Sequence, residues 1–394
     1  MSYSLILGFG NDVDYELILD PEKLSNLSQN YKITNDDLDI NIQITDEKSL
    51  IISILSHMSE GRGGECFVHD PDTIISFCDK FEINETLGGT PVRAAIAIDK
   101  LGCKGLLHYV TDNSTIRKLT PPSFPFICSS DEPHIYPHLI IQYSPGDLIQ
   151  TDQIQISASG ANRIIYNNDP DNIKMEIHPG VQSFFPAARA ILVSGFNAMR
   201  DTDLADLRLK QLAGMLEHIS NNCLVFYEDA AFHNPEIRTV VQKNIERFIT
   251  IHSMNEDELQ QLFGNRIDLL DKDAVINCMD SVKKKLNIKN ILIHTAKWSL
   301  IEGPDANKYG HALQLGIDLA TTRYVFGDEY SKTEYLATRQ YPKNSEGLRF
   351  SSEIMNMRKD MICLAAYKAD VKKPTTVGLG DTFVGGFISA FYKE

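Results

Sequence analysis

Short, strongly apolar segments alternate along the chain with longer segments of mixed polarity. The short segments end in glycine or in polar residues and predict buried strands at residues 3–8, 189–195, 222–229 and 287–295. Helices are predicted at 203–220 by the spacing of leucines, at 91–101 by a proline in the first turn, and from 381 onward. This alternation predicts an α/β fold, a mostly parallel sheet covered by helices on both faces.

Two further stretches, residues 31–65 and 103–180, have a different texture. They are polar and contain short alternating segments such as HLIIQYS, broken by clusters of Pro, Asn, Asp and Ser. Such a pattern is typical of short antiparallel strands and loops. We therefore predict a small β-rich lid from these residues, inserted into a large α/β domain formed by residues 1–30, 66–102 and 181–394.

Composition narrows the classes of partner. The 394 residues include 53 Asp and Glu against 38 Lys and Arg, which gives a net charge of −15. This charge argues against a nucleic-acid surface or an anionic membrane as partner, but backbone amides and a metal ion can still hold a nucleotide. The first residues lack the pattern of a signal peptide, and the seven cysteines contain no C-x-x-C pair. A zinc site or disulfide framework is therefore not expected, and a reducing cytoplasm is the simplest setting. We expect a monomer or a homodimer.

The strongest chemical signal is a glycine-rich segment near the C-terminus. Gly378, Leu379 and Gly380 precede Asp381, and a predicted helix follows. Glycines let backbone amides approach an anion, and a helix N-terminus adds unpaired N–H groups and a positive dipole. Asp381 can accept a proton from a hydroxyl nucleophile there. The structural alternative is a glycine turn in which Asp381 caps the helix.

This segment resembles the V-G-x-G-D-T signature of the ADP-dependent sugar kinases, the glucokinase and phosphofructokinase branch of the ribokinase-like superfamily. Other segments match that family in the same chain order. The resemblance implies a ribokinase-like three-layer α/β/α domain with a small lid, and Mg²⁺-dependent phosphoryl transfer from ADP to a hydroxyl of a sugar or sugar phosphate. It assigns Asp381 as catalytic base and metal contact, and Gly378, Leu379 and Gly380 as the phosphate loop.

On the acceptor side, the segment of residues 12–14 resembles the family's N-x-D turn. This resemblance implies that Asp14 binds sugar hydroxyls. Asp12 stands where the family has asparagine. Gly88 and Gly89 resemble the G-G substrate loop, and Asn197 lies in an S-G-F-N segment similar to the strand end beside the sugar. The structural alternatives are a turn-forming acid for Asp14, a plain loop for Gly88 and Gly89, and a strand terminus for Asn197. Arg93 follows the G-G loop, where the family mostly carries an apolar residue. An arginine here could contact a sugar phosphate or lie on the surface, and we favour the surface.

On the metal side, the resemblance implies Glu228 and Glu258 as residues that hold Mg²⁺ through water, with Asn255 beside them near the nucleotide. Carboxylates acting through water suit magnesium, which prefers oxygen ligands and retains its waters. Asn255 and Glu258 also have the spacing of a capping box, and both interpretations can hold together. Phe226 replaces the family's histidine. His294 is interpreted either as a site residue or as a core histidine.

Direct in-line transfer is therefore the leading hypothesis. An ATP-dependent sugar or nucleoside kinase of the same superfamily is the nearest alternative, because the phosphate loop suits either nucleotide. A sugar or nucleotide sensor without activity is another, favoured by Phe226. Residues 103–180 could also form a dimer interface in place of a lid. The acceptor sugar is left open, and the nucleobase is expected near residues 300–375.

Overall fold

The chain folds around two β-sheets in a computed structural model that describes residues 2–130, 135–160, 162–371, 375 and 377–393. The strands are β1 Leu5–Leu7, β2 Asp12–Ile18, β3 Gly64–Phe67, β4 Asn84–Gly88, β5 Leu106–Tyr109, β6 Phe126–Cys128, β7 His138–Tyr143, β8 Leu148–Gln150, β9 Gln155–Ser157, β10 Asn162–Asn167, β11 Ala190–Val193, β12 Leu224–Glu228, β13 Ile251–Asn255, β14 Ile291–His294, β15 Trp298–Glu302 and β16 Met361–Ala365.

The α-helices vary from five to 17 residues. They are α1 Pro21–Asn30, α2 Glu47–Glu60, α3 Pro71–Cys78, α4 Thr90–Asp99, α5 Ser114–Leu119, α6 Pro170–Lys174, α7 Thr202–Leu216, α8 Glu236–Ile245, α9 Glu256–Phe263, α10 Lys272–Leu286, α11 Gly310–Phe326, α12 Lys332–Thr338, α13 Ser345–Met357 and α14 Leu379–Ser389. Within the described ranges, none of these helices has both the length and the apolar character required to cross a membrane.

The larger sheet has nine strands in the order β16-β15-β14-β13-β12-β11-β1-β5-β6. Neighbours from β14 to β6 are parallel, and β15 and β16 are antiparallel to their neighbours. Ile191 packs against helices α7 and α8 on one face, whereas Leu192 packs against α4, α11 and α14 on the other. These three layers confirm the predicted α/β class, because a parallel sheet must bury both faces.

The second sheet has five strands in the order β3-β10-β7-β2-β4. One of its faces packs on α1, α2 and α3 through residues such as Ile164 and Tyr166. The alternate positions of the same strands are mostly polar, and Arg163 and Asn167 of β10 line a cleft. The period-two alternation of β-strands therefore gives this sheet an apolar face and a polar face.

Sheet membership differs from the predicted boundaries. The strands β2 and β4, assigned to the large domain, lie in the second sheet, and β5 and β6, assigned to the lid, extend the larger sheet. The reason is local polarity: β5 is buried throughout, whereas β2 alternates polar and apolar residues. The prediction of short strands in residues 31–65 is also wrong for most of its length, because α2 occupies 14 of these residues. Closure of the second sheet as a lid stays a prediction.

Candidate active site

A cleft of about 540 Å³ lies between the carboxyl ends of β11, β12 and β13 and the polar face of the second sheet. The carboxyl ends of parallel strands form the usual binding edge of an α/β sheet. The lining residues include six that were predicted from sequence, Gly89, Asn197, Glu228, Asn255, Glu258 and Asp381. Residues separated by almost three hundred positions in the chain are thus brought to one cavity.

The glycine-rich loop leads into α14, and Gly378 is the residue that caps this helix. Gly378 has a φ of +67°, a left-handed conformation that favours glycine. Asp381 lies in the first turn, half-buried, and lines the cleft. Asp381 is therefore not the helix cap, and its side chain is directed to the cavity. Gly378, Leu379 and Gly380 form the turn behind it, and Gly380 approaches His294 closely.

The two aspartates of the N-x-D-like turn have different surroundings. Asp14 is buried, and its Oδ2 accepts a hydrogen bond of 2.6 Å from Nη2 of Arg93. Asp12 lines the cleft instead, and its Oδ1 has no hydrogen-bond partner within the described residues. A Cβ at Gly88 would lie 1.8 Å from Asp12 Oδ1, so the turn requires glycine at this position. The structure thus brings Asp12, rather than Asp14, to the cavity.

Arg93 is buried, and the expectation of a surface position is wrong. Only 7% of the residue is exposed. Its guanidinium pairs with Asp14 and lies 3.4 Å from Glu16 Oε1. Burial of a charge is tolerated when the charge is paired and hydrogen-bonded. The partners are carboxylates on β2, which the sequence alone could not place beside helix α4.

Glu228, at the end of β12, and Glu258, in the first turn of α9 after β13, form an acidic pair. Glu228 Oε1 accepts a hydrogen bond of 2.9 Å from His294 Nε2, whereas its buried Oε2 has no partner within the described residues. Burial, and then the charge of Glu228, raise the pKa of Glu258 well above its ordinary value. A hydrated cation between the carboxylates would relieve both effects, so these residues fit Mg²⁺.

The capping box predicted for Asn255 and Glu258 is present. Asn255 accepts from the backbone N–H groups of Asp257 and Glu258, and Glu258 Oε2 accepts from the Asn255 N–H at 2.8 Å. One carboxylate oxygen of Glu258 is thereby held in place. The cap fixes the direction in which the side chain enters the cleft, so the structural interpretation and the metal interpretation are compatible.

His294 is a buried residue that stacks on Phe383 of α14, with ring centroids 4.9 Å apart. Burial disfavours its charged form, but the charge and hydrogen bond of Glu228 outweigh burial and raise the pKa of His294. The imidazole therefore holds the Glu228 carboxylate in place through this hydrogen bond. It is a core histidine, and its partner is a site carboxylate rather than the backbone.

A second polar cluster, which sequence reasoning missed, lies on the acceptor side. His138 Nδ1 is 3.4 Å from Asp12 Oδ1, and His138 Nε2 is 3.6 Å from Asp169 Oδ2. Burial alone would lower the pKa of His138, but the two aspartates raise it to about 10. These residues come from β2, β7 and the start of α6. Only the polar alternation of β2 and β7 could have indicated that they share a face.

Basic side chains from both walls also meet at the cleft. Arg163 of β10 is exposed, and Arg200 lies with its guanidinium carbon 3.5 Å from the ring centroid of Phe67. His233 Nε2 is 3.3 Å from Glu65 Oε1 across the same opening. All of these except Phe67 line the cavity. No motif marks them, because their positions depend on pairing between distant strands.

The comparison with protein families agrees with the arrangement of the cleft. The model of the ADP-specific phosphofructokinase/glucokinase conserved region matches residues 4–389. The chain belongs to this family. Membership identifies an ADP-dependent sugar kinase, and the matched region contains the acidic pair, the Asp381 loop and the second sheet.

Solved structures share the fold over nearly the whole chain. The phosphofructokinase from Pyrococcus horikoshii OT3 with AMP has 16% identity and a TM-score of 0.77, and the alignment covers 99% of this chain and 98% of that chain. An ADP-dependent kinase complex with fructose 6-phosphate and ADPβS has 13% identity and a TM-score of 0.75, with 99% and 94% covered. At such identities the likeness is one of fold.

Phe226 is the clearest departure of this chain from the family pattern. Its side chain is fully buried and packs on Phe387 of α14, with ring centroids 5.2 Å apart. It therefore contributes to the core beneath the cleft. The side chains of Glu228 and Glu258 still reach the cavity above it.

The His138 cluster predicts a pH-dependent contribution to stability. The folded-state pKa of about 10 exceeds the ordinary value of 6.5, so the stabilisation is fully present below about pH 6.5 and is lost as the pH rises through about 10. We expect the wild type to lose at least about 1.4 kcal/mol of unfolding free energy relative to His138→Gln across this range.

Urea unfolding of both proteins at the two ends of the range measures this difference. His218→Gln, which changes an exposed histidine, is the control and should follow the wild type. A constant difference between wild type and His138→Gln at every pH would contradict the linkage.

Proposed function

We propose that this kinase transfers the β-phosphoryl group of ADP to a hydroxyl of a sugar phosphate, with Mg²⁺, in the cleft between the two sheets. The observation that carries the proposal is the convergence of Asp381, Glu228 and Glu258 with basic side chains in one cavity. A cytoplasmic location and a monomeric or homodimeric state stay predictions.

Asp381 acts as the base in this proposal. Its carboxylate accepts the proton of the acceptor hydroxyl while that oxygen forms a bond to the β-phosphorus of ADP and the bond to AMP breaks. Backbone amides of residues 378–381, at the N-terminus of α14, stabilise the negative charge of the phosphoryl group. Magnesium, held through water by Glu228 and Glu258, would supply positive charge beside the diphosphate.

The acceptor binds against the polar face of the second sheet. Asp12, Gly89 and Asn197 line the cleft beside Asp381 and can orient sugar hydroxyls, since carboxylate and amide groups bind vicinal hydroxyls. The prediction that Asp14 binds the sugar is replaced here by Asp12, because Asp14 is paired with Arg93. Asp14 then supports the site through that arginine.

Arg163 and Arg200 favour a phosphorylated acceptor. Guanidinium groups bind phosphate through paired hydrogen bonds, and both arginines line the same cavity as Asp381. The ADP-dependent kinase of similar fold in complex with fructose 6-phosphate and ADPβS also supports this class of acceptor.

The direct test is AMP production by the purified protein. We expect AMP when Mg²⁺, ADP and a sugar phosphate such as fructose 6-phosphate are present, and little AMP when the acceptor is omitted. Glucose and ATP are the comparison acceptor and donor, and the phosphorylated sugar is measured for both donors because transfer from ATP releases ADP rather than AMP. Phosphorylated sugar formed with ATP but not with ADP, or acceptor binding without product from either donor, would contradict the proposal.

Removal of the Arg200 guanidinium should weaken binding of a sugar phosphate more than binding of an uncharged sugar. We expect Arg200→Met to raise the KM for the sugar phosphate by about 10- to 100-fold, because a charge-assisted hydrogen bond is lost. The KM for ADP should change little. Steady-state kinetics with each substrate varied in turn measures both values.

Arg349→Met, which removes an exposed arginine on α13, is the matched control. An equal rise in KM for glucose and for the sugar phosphate would show that Arg200 does not bind the phosphate.

A further inference from the structure

Two buried arginines lie against Gly378 of the glycine-rich loop, residues 377–381. A Cβ at Gly378 would lie 2.7 Å from Arg93 Cδ, 2.9 Å from Arg93 Nη1 and 2.8 Å from Arg323 Nη1. Arg323 Nη1 also donates a hydrogen bond to the carbonyl oxygen of Val377. The two guanidinium groups therefore enclose the backbone of the loop, and glycine is what permits their approach.

The two arginines connect the loop to different parts of the fold. Arg93 Nη2 donates to Asp14 Oδ2 at 2.6 Å and lies 3.5 Å from Thr86 Oγ1, so it contacts β2 and β4 of the second sheet. Arg323 Nε donates to Asp328 at 2.6 Å, just beyond the end of α11. Arg93 is thus the link between the catalytic loop and the sheet that carries Asp12.

On this side of the loop, the two arginines stand between Gly378 and a cavity. A second cavity of about 570 Å³ is lined by Arg93, Arg323 and Thr382, together with Tyr330 and residues of β4. No described residue from 377 to 381 lines this cavity, so the two arginines separate the loop from it. Because an open cavity offers no packing atoms, the guanidinium contacts of Arg93 and Arg323 are what restrains the loop on this side.

The charge of Arg93 also interacts with the charge of Asp381. Burial disfavours its charged form, but Asp14 and then Asp381 outweigh burial and raise the pKa of Arg93. Arg93 therefore keeps its positive charge at the N-terminus of α14. This is the end of the helix at which negative charge develops during phosphoryl transfer.

We propose that Arg93 is a positioning residue that holds the loop of residues 377–381 so that Asp381 meets the acceptor hydroxyl. This role rests on the function proposed above. Arg93 does not line the acceptor cleft, so it acts through the loop and through Asp14. Its contact with β2 makes the position of the base depend on the sheet against which the acceptor binds.

The test must separate this role from simple neutralisation of Asp14. Arg93→Met alone leaves the buried Asp14 carboxylate without its partner and can prevent folding. The double variant Asp14→Asn/Arg93→Met removes both charges, so it is compared with Asp14→Asn. We expect kcat of the double variant to be about 10- to 100-fold below that of Asp14→Asn, with the acceptor KM of the two alike, because a displaced base slows the reaction step.

Arg93→Lys supplies the conservative variant. A lysine keeps the charge beside Asp14 but lacks the second nitrogen that lies against Gly378. We expect a folded protein with reduced kcat. Equal kcat for the double variant and Asp14→Asn, or wild-type kcat for Arg93→Lys, would overturn the proposal. Arg117→Met, at an exposed arginine paired with Asp112, is the control and should behave as the wild type.

Hydrogen exchange tests the same role without activity. The Thr382 amide donates to the Gly378 carbonyl oxygen at 3.0 Å. We expect a peptide covering residues 377–383 to exchange about tenfold faster in the double variant than in Asp14→Asn, because the first turn opens more often. Unchanged exchange would overturn the positioning role, whereas an inactive wild type with faster exchange in the variant would reject only the proposed function.

Discussion

Replacement of Asp381 by Asn is expected to lower kcat by about 10²- to 10⁴-fold, the range typical of a general base. The amide has nearly the shape of the carboxylate but cannot accept the hydroxyl proton. Because Asp381 lies in the first turn of α14 and makes no capping hydrogen bond within the described residues, the fold should be retained. AMP release at saturating ADP and acceptor measures kcat, and calorimetry should show acceptor affinity close to that of the wild type.

Asp203→Asn is the matched control, since Asp203 lies in the first turn of α7 on the exposed surface. Its kcat should equal that of the wild type. Near-normal turnover by Asp381→Asn would show that Asp381 is not the base, even if changes to Glu228 or Glu258 impair magnesium binding.

Glu228→Gln is expected to raise the Mg²⁺ concentration needed for half-maximal activity by about 10- to 100-fold, as changes to groups that support a bound metal typically do. Glu228 is buried, hydrogen-bonded to His294 through one oxygen and, within the part of the chain that the structure describes, without a partner at the other. Glutamine preserves the shape but removes the charge that attracts the hydrated cation. Activity titrated with Mg²⁺ at fixed ADP and acceptor gives the two concentrations.

Glu258→Gln should shift the same titration in the same direction. Glu236→Gln, in the exposed first turn of α8, should leave it unchanged. If the titrations of wild type and Glu228→Gln coincide, magnesium does not use this carboxylate.

The features that sequence predicted best are those set by neighbouring residues. The capping box of Asn255 and Glu258 depends on residues three positions apart, and the turn at Gly378 depends on glycine itself. The buried strands β11, β12 and β14 were likewise visible as short apolar runs. Local chemistry of this kind requires no knowledge of the rest of the chain.

The features that were missed depend on pairing between distant segments. Strand β2 lies between β4 and β7, and this pairing brings His138 to Asp12 although they lie 126 positions apart. The pair of Arg93 and Asp14 spans 79 positions. Sequence patterns show that such side chains are polar, but only the order of strands in the sheet shows which carboxylate meets which base.

The contacts between the walls of the cleft have a consequence for the admission of substrate. His233 meets Glu65, and Arg200 lies over Phe67, so both contacts join the second sheet to the opposite wall of the cleft. An acceptor that passes between the walls would have to separate these groups, which would oppose its binding. If Arg200 binds the acceptor phosphate as proposed, that anion replaces the lost contact and an uncharged sugar does not. The enzyme would then discriminate between acceptors as they enter the cleft, before the hydroxyl reaches Asp381.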